Sequence, residues 1–483
     1  MNSPDTERRP LPRFPGWWRA LGPGIVWMAL AQGSGELIWW PYLVAKYGLT
    51  FLCLLVPACL LQYPLNVEIG RYTLLTGETI FRGFLRLHRG FGIALWALMT
   101  LSFLWFGAFA SAGGTALAAL TGIPAGWSAR GQTLFWGYAS IAVFVIAVVF
   151  SGVVYRLVEN FMKVVAVTTV IGLAWACLQP EVLAALPSFL RGLAGPPAGG
   201  LPRPWDPADA TKLLTGITFA GLGGFWILLY SYWLSEKGAG MAAYGSHVTG
   251  VGGGGAGAAT EAATPVHGMA GVAALLPTDR EETRAEWTRW RRYLTVDALV
   301  GIGGNLCTTL MTCLLAWALL FPKGLLPEDY ELAVVQSRFF EVSWGPVGRL
   351  LFLVVAAAFL TDTWLATADG VSRMQADIIT TVFPGAARQG RRRWYWICFG
   401  TLTAITGGTM ALSTPGVLIL LSAVVGFAGT VLFPAALYLL NHVQLAGVAP
   451  AWARPGRGSA LLLGASFVAY LALAALYLRE VLR

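Results

Sequence analysis

Apolar stretches of about twenty residues, the length a helix needs to cross ~30 Å of hydrocarbon, recur eleven times along the chain. They run Gly24–Tyr47, Phe51–Gly70, Ile93–Leu120, Leu134–Val154, Val164–Leu178 and Leu213–Leu234, then Val296–Leu320, Val347–Ala368, Trp394–Leu412, Val417–Leu440 and Ala460–Tyr477. A bilayer leaves only helices or closed barrels to satisfy the backbone. These runs are too long and too uniformly apolar for alternating barrel strands, so an all-α polytopic membrane protein is expected. Charged residues make up 12% of the 483, against roughly 25% in a soluble protein. That balance excludes a disordered chain, a nucleic-acid binder and most soluble enzymes.

With the N-terminus in the cytoplasm, 23 of the 33 Lys and Arg fall on the inner side. This satisfies the positive-inside rule and makes the net charge of +9 a matter of topology. An eleventh span then leaves the C-terminus outside, and a multi-pass protein of the plasma (inner) membrane is expected, its partners the lipid bilayer and a transported ion or solute. The arginines ahead of Leu21–Leu30 imitate a secretory leader. The apolar pattern resumes at Leu37, however, which suits one broken helix better. The six cysteines lie mostly in apolar runs without CxxC or zinc spacing and read as small hydrophobes.

Two spans are interrupted. Span one breaks at Gln32-Gly33-Ser34-Gly35-Glu36 and span six at Ala220-Gly221-Leu222-Gly223-Gly224. Gly-interrupted spans at matching positions of two five-helix halves point to a midplane substrate site in inverted-repeat transporters. Close helix packing through small residues is the plainer account of such glycines, but packing does not require Glu36. The expected organisation is a cytoplasmic segment at 1–20, a first five-helix repeat at 21–180 and an extracytoplasmic loop at 181–212. A second repeat follows at 213–440, with a Gly/Ala-rich cytoplasmic loop at 238–293, and then an accessory helix at 441–483. The outer connection Leu183–Ala210 is Pro- and Gly-rich and reads as a surface loop. Thr278–Tyr293 has acids first, arginines later, and aromatics at Trp287, Trp290 and Tyr293, which predicts a short amphipathic helix on the inner leaflet.

A carboxylate inside a span costs ~2.5 kcal/mol or more to insert and marks function by default. Glu36 is the sharpest case: with Gln32, Ser34 and freed carbonyls near Gly33 and Gly221 it makes a hard oxygen set for a cation. Asp362 and Asp369, two turns apart in span eight, are candidates for an ion or proton path; Asp369 could instead pair with Arg373 at i+4. Glu68 with Arg71 and Glu159 with Lys163 read as structural pairs. Asp297 is expected to cap the start of span seven or to meet a basic residue. His88, His247, His267 and His442 fall at loop or edge positions, so no soft-metal site is evident.

From Gly22-Pro23-Gly24 through Tyr47-Gly48 the chain resembles the Nramp family of divalent-metal transporters. Gly114-Thr115-Ala116, the Arg156 and Glu159 pair at the start of span five, and Phe433-Pro434-Ala435 in span ten extend the resemblance. It implies the LeuT-type fold of inverted five-helix repeats. The departures fall where that family works. Its metal-ligating Asp-Pro-Gly-Asn is matched by Gly33-Ser34-Gly35-Glu36, and its Met-Pro-His of span six by Gly224, Phe225 and Trp226. Its span-three acids fall on Ala108 and Ser111.

The expected function is therefore secondary transport of a hard, partly hydrated divalent cation such as Mg²⁺ or Mn²⁺ by alternating access. Glu36 alone compensates a divalent ion poorly, so a same-fold transporter of a non-metal solute stays open. Trp226, Phe225, Trp39 and Trp40 would then line its cavity, unless they are core or lipid-facing aromatics. A sensor signalling through Gly238–Tyr293 is disfavoured by the shortness of that connection. With no HExxH, Ser/His pair or intramembrane His, neither enzymatic chemistry nor a cofactor is expected.

Overall fold

Each apolar run is helical in the computed structural model, which describes residues 8–20, 22–31, 37–150, 154–195, 202, 204–244, 271–327 and 335–482. Span one comprises α1 (Pro23–Ala31) and α2 (Leu37–Tyr47), and span two is α3 (Leu55–Thr76). A short helix α4 (Ile80–Leu87) precedes span three, itself divided into α5 (Arg89–Phe103) and α6 (Gly107–Thr121). Spans four and five are α7 (Ala129–Phe150) and α8 (Val154–Cys177), with α9 (Pro180–Ala194) bent 90° from α8. Span six is α10 (Asp209–Phe219) and α11 (Leu229–Glu236). The remaining spans are α12 (Glu281–Leu315), α13 (Arg338–Val382), α14 (Arg391–Met410), α15 (Pro415–Leu437) and α16 (Arg457–Val481). Among the described residues, eight helices are long and apolar enough to cross a membrane, and the bent pair makes a ninth candidate.

Lipid is as apolar as leucine, so transmembrane helices associate through close packing of small residues. Gly113 of α6 lies against Thr361 of α13, where an added Cβ would sit 2.5 Å from its Oγ1. Gly114 lies as closely on the Thr133 carbonyl of α7, at 2.4 Å. The run of glycine, alanine and serine in α6 thus lets α7 and α13 press against it. Span six is 94% buried over its most apolar window while α16 is 17% buried. Span six is therefore central, and α16 is peripheral.

Two expectations are corrected. The first part of the outer connection is not a loop: Gln179 precedes Pro180 at the first helical position with Glu181 in the first turn, favourable starts, and α9 runs on through Pro187. Nor does the stretch leading into span seven lie on a leaflet. It continues unbroken into α12, and Trp287, Trp290 and Tyr293 are buried. They hold the proline-rich N-terminal segment instead. The Trp290 indole donates to the Pro12 carbonyl at 2.8 Å, and the Tyr293 hydroxyl to that of Ala20 at 3.1 Å. The Phe14 amide donates to Glu286 at 2.9 Å, and its ring packs edge-on against Trp290. Replacing Trp290 with alanine should release this strap. The expected readout is faster tryptic cleavage at Arg13 in the folded protein; an unchanged rate would show the strap to be held elsewhere.

Candidate functional site

The break in span six is formed as its glycines imply. Helix α10 stops at Phe219, Ala220 turns to ψ 119°, and Gly221 and Gly224 take φ of +68° and +65°. Leu222 takes φ +62°, a left-handed conformation that costs a non-glycine residue roughly 1–2 kcal/mol. One 3₁₀ turn, Gly224–Leu228, then leads into α11.

Side chains from three other helices bond the backbone around the break. The Trp27 indole of α1 donates to the Gly221 carbonyl, and the Trp40 indole of α2 to that of Gly216, each at 3.0 Å. The Gly224 amide donates to Thr430 Oγ1 of α15 at 2.9 Å. Gly224 also lets α15 approach, since its missing Cβ would lie 3.6 Å from the Gly426 Cα. Phe225 packs edge-on against Phe433. Trp226 is fully buried among Phe103, Phe109 and Phe219, and its indole donates to Thr367 Oγ1 of α13 at 3.2 Å. Trp226 therefore occupies the junction of spans three, six and eight.

Gln32, Gly33, Ser34 and Glu36 lie outside the described residues; the flanking helix ends, Ala31 and Leu37, belong to α1 and α2. The Asp362 side chain is likewise outside the description. Asp369 is buried, accepting from Arg373 Nε at 2.9 Å and from the Tyr395 hydroxyl at 2.7 Å. Arg373 reaches on to Glu236 of α11 at 2.8 Å. Beside it Asp377 takes Arg82 at 3.1 Å, Arg391 at 3.2 Å and the Thr79 hydroxyl at 2.6 Å. These buried charges tie α4, α11, α13 and α14 together at the arginine-rich end of the bundle. Glu68 pairs with Arg71 at 3.2 Å as expected, and accepts from Asn441 at 2.8 Å. Asp297 corrects another expectation. Its carboxylate accepts from the Tyr230 hydroxyl at 2.9 Å and lies against Gly24, at the start of span one and not of span seven. Ala108 and Ser111 are buried in α6, the serine hydroxyl donating to the Ala108 carbonyl at 3.0 Å.

At the opposite end, α2 and α10 meet through a second charge cluster. Buried Asp209 takes Lys46 at 2.7 Å, Lys212 at 3.0 Å and the Tyr47 hydroxyl at 2.6 Å. Lys212 also stands 4.0 Å over the Tyr42 ring.

Three features went unread in the sequence. Span three is divided at 104–106, where Gly107 is the lone helix-breaking residue to signal it. The Asp209 cluster is one. The third is Gln62 and Asn66 of α3, both buried and the first beside the span-six break, where the i,i+4 spacing of two amides in an apolar run was the available signal.

No family model matches the chain, and no curated protein sequence matches it either. Solved structures do. A mutant of the Eremococcus coleocola manganese transporter superposes with a TM-score of 0.62 at 13% identity, over 97% of this chain and 89% of that one. Mhp1, a nucleobase-cation-symport-1 family transporter, gives 0.55 at 12% identity over 99% and 96%. MhsT in complex with L-phenylalanine gives 0.55 at 14% identity over 97% and 99%. The fold is thus of the LeuT type, with its all-helical, broken-span architecture.

Proposed function

We propose that the chain is a secondary-active transporter working by alternating access around the breaks of spans one and six. The observation that carries this is the central, unwound segment at 220–224, buried in the middle of a fold shared with three transporters. The arginine-rich end faces the cytoplasm in this reading. Eleven spans form two five-helix halves, at 21–180 and 213–440, plus a peripheral last helix.

The substrate is, on the Nramp resemblance, a hard divalent cation such as Mg²⁺ or Mn²⁺ that keeps part of its hydration shell. Glu36 is its charged ligand, aided by Gln32, Ser34 and the carbonyls of Gly33 and Gly221. Asp362 and Asp369 remain candidates for the ion path, although the ion pair with Arg373 favours a structural role for Asp369. A second reading, a non-metal solute, is supported by Gly224 and Trp226, which stand where the resembled family has its thioether and imidazole ligands, and by the aromatic side chains of Phe225 and Trp226.

The test is purified protein in liposomes given Mg²⁺, Mn²⁺ or Ca²⁺ while internal pH is followed, beside Glu36→Gln. A divalent ion is expected to enter the parent liposomes without internal acidification, the span-three acids being replaced. Glu36→Gln is expected to lower the rate at least ~10-fold, about 1.4 kcal/mol of lost stabilisation. Absence of divalent movement, or a variant equal to the parent, overturns the metal reading.

A further inference from the structure

The carboxamides of Gln62 and Asn66 stand out among the buried polar groups of α3. Gln62 is 0% and Asn66 1% exposed, and neither the amide nitrogen nor the amide oxygen of either has a hydrogen-bonding partner among the described residues. A buried donor or acceptor left unmade is costly, and here four lie together. Residues four apart share one helix face, and Gln62 on that face adjoins the span-six break. The Gln62 side chain lies 3.5 Å from where a Cβ on Gly221 would be and 2.4 Å from that of Gly223. The Thr218 carbonyl, in the last turn of α10, adjoins the same Gly223 position at 2.0 Å. This is the α3–α12 side of the break, since Ile302 of α12 meets Gly221 there at 3.5 Å. Trp226 fills the other side.

The polar groups at this place are uncharged, carboxamides and backbone carbonyls. The Gln62 carboxamide adjoins the C-terminal end of a half-helix, whose last carbonyls carry partial negative charge. Half-helix C-terminal ends of this kind coordinate small cations in broken-span transporters. The neighbouring carboxylates are already committed: Glu68 to Arg71, Asn441 and Ser459, and Asp297 to Tyr230 and the start of α1. A divalent ion calls for carboxylate ligands. The positive end of the field needed by an anion is missing too, because the dipole of α10 points its negative end here. A single positive charge fits both limits.

We infer that Gln62 and Asn66, with the carbonyls of the last turn of α10, form a binding site for a monovalent cation, its side-chain ligands distinct from those proposed for the substrate. It supplies the coupling ion of the cycle proposed above and rests on that reading for the coupling alone. The oxygens of both amides ligate the ion, and their NH₂ groups turn to the backbone carbonyls of the break.

Binding is read from the thermal unfolding midpoint of the purified full chain in detergent, titrated with NaCl or KCl against choline chloride at constant ionic strength. One alkali cation is expected to raise the midpoint saturably. Gln62→Leu and Asn66→Leu should each weaken that response at least ~10-fold in half-saturating concentration. In choline they should unfold no earlier than the parent, because leucine removes buried groups that lack partners; a purely structural role predicts earlier unfolding. Gln62→Glu should tighten the response and extend it to Mg²⁺. No cation response in the parent, or an equal response in the leucine variants, overturns the site, as it would if water alone sat there. Divalent or solute flux that ignores Na⁺ and K⁺ would leave the transport reading standing and remove the coupling. Cation binding without any flux would leave the site standing and remove the transport reading together with the coupling.

Discussion

Arg373→Ala is expected to destabilise the protein by about 3–5 kcal/mol, the range for removing one partner of a buried ion pair. Arg373 is 2% exposed and serves two carboxylates at once, Asp369 through Nε and Glu236 through Nη1. Alanine leaves both carboxylates without the guanidinium in a largely buried setting. Glu236 is also the last residue of α11, where the helix dipole already opposes a negative charge. Lysine is expected to recover only part of the loss, because one ammonium lacks the fork that reaches both partners. Urea or thermal unfolding in detergent measures the effect, and Arg373→Met combined with Asp369→Asn and Glu236→Gln tests its origin. If charge imbalance is the cause, the triple variant regains most of the stability. A single-variant loss under about 1 kcal/mol would mean the network is wetter than its burial implies.

The second large effect is expected at Gly223, and it is steric. A Cβ there would fall 2.0 Å from the Thr218 carbonyl and 2.4 Å from the Gln62 amide nitrogen. The amide can swing away, but the carbonyl belongs to the last turn of α10 and moves only if that turn unwinds. Overpacking of this kind costs roughly 1–3 kcal/mol. In the proposed transport cycle the cost falls on a segment that changes shape, so Gly223→Ala should cut flux at least ~10-fold while the rest of the bundle stays folded. Gly224→Ala makes the comparison, since its nearest neighbour is 3.6 Å away and its penalty is the left-handed backbone, φ +65°. That penalty is about 1–2 kcal/mol without a clash. Flux in liposomes, normalised to folded protein by circular dichroism, separates the two. Equal flux for Gly223→Ala and the parent would mean the break is looser than its contacts indicate.

The fold was legible because hydropathy reports the solvent directly: a run of twenty apolar residues has one stable use in a bilayer. The span-six break was legible for a related reason, as three glycines in four positions permit backbone that a helix former resists. Other features depend on partners that periodicity does not carry. The aromatic face at Trp287, Trp290 and Tyr293 was evident, yet nothing in its own pattern says that it covers the N-terminal segment and not lipid. Helix α9 was masked by Pro180 and Pro187, which read locally as loop residues although the first is a favourable helix start. Gln62 and Asn66 drew no notice because neutral amides leave charge counts unchanged. The i,i+4 spacing of Asp369 and Arg373 was read and is realised at 2.9 Å. That Arg373 also holds Glu236 needed the third dimension.

Asp209 joins Lys46 of α2 to Lys212 of α10, and so binds the far halves of both broken spans to one another. Half-helices free to hinge separately would give the site two doors on that side, each opening on its own schedule. In the proposed cycle, bolted through a shared carboxylate, they turn as one leaf, and the arginine-rich end closes through different residues. A substrate released toward the lysines would then have a single latch to wait for.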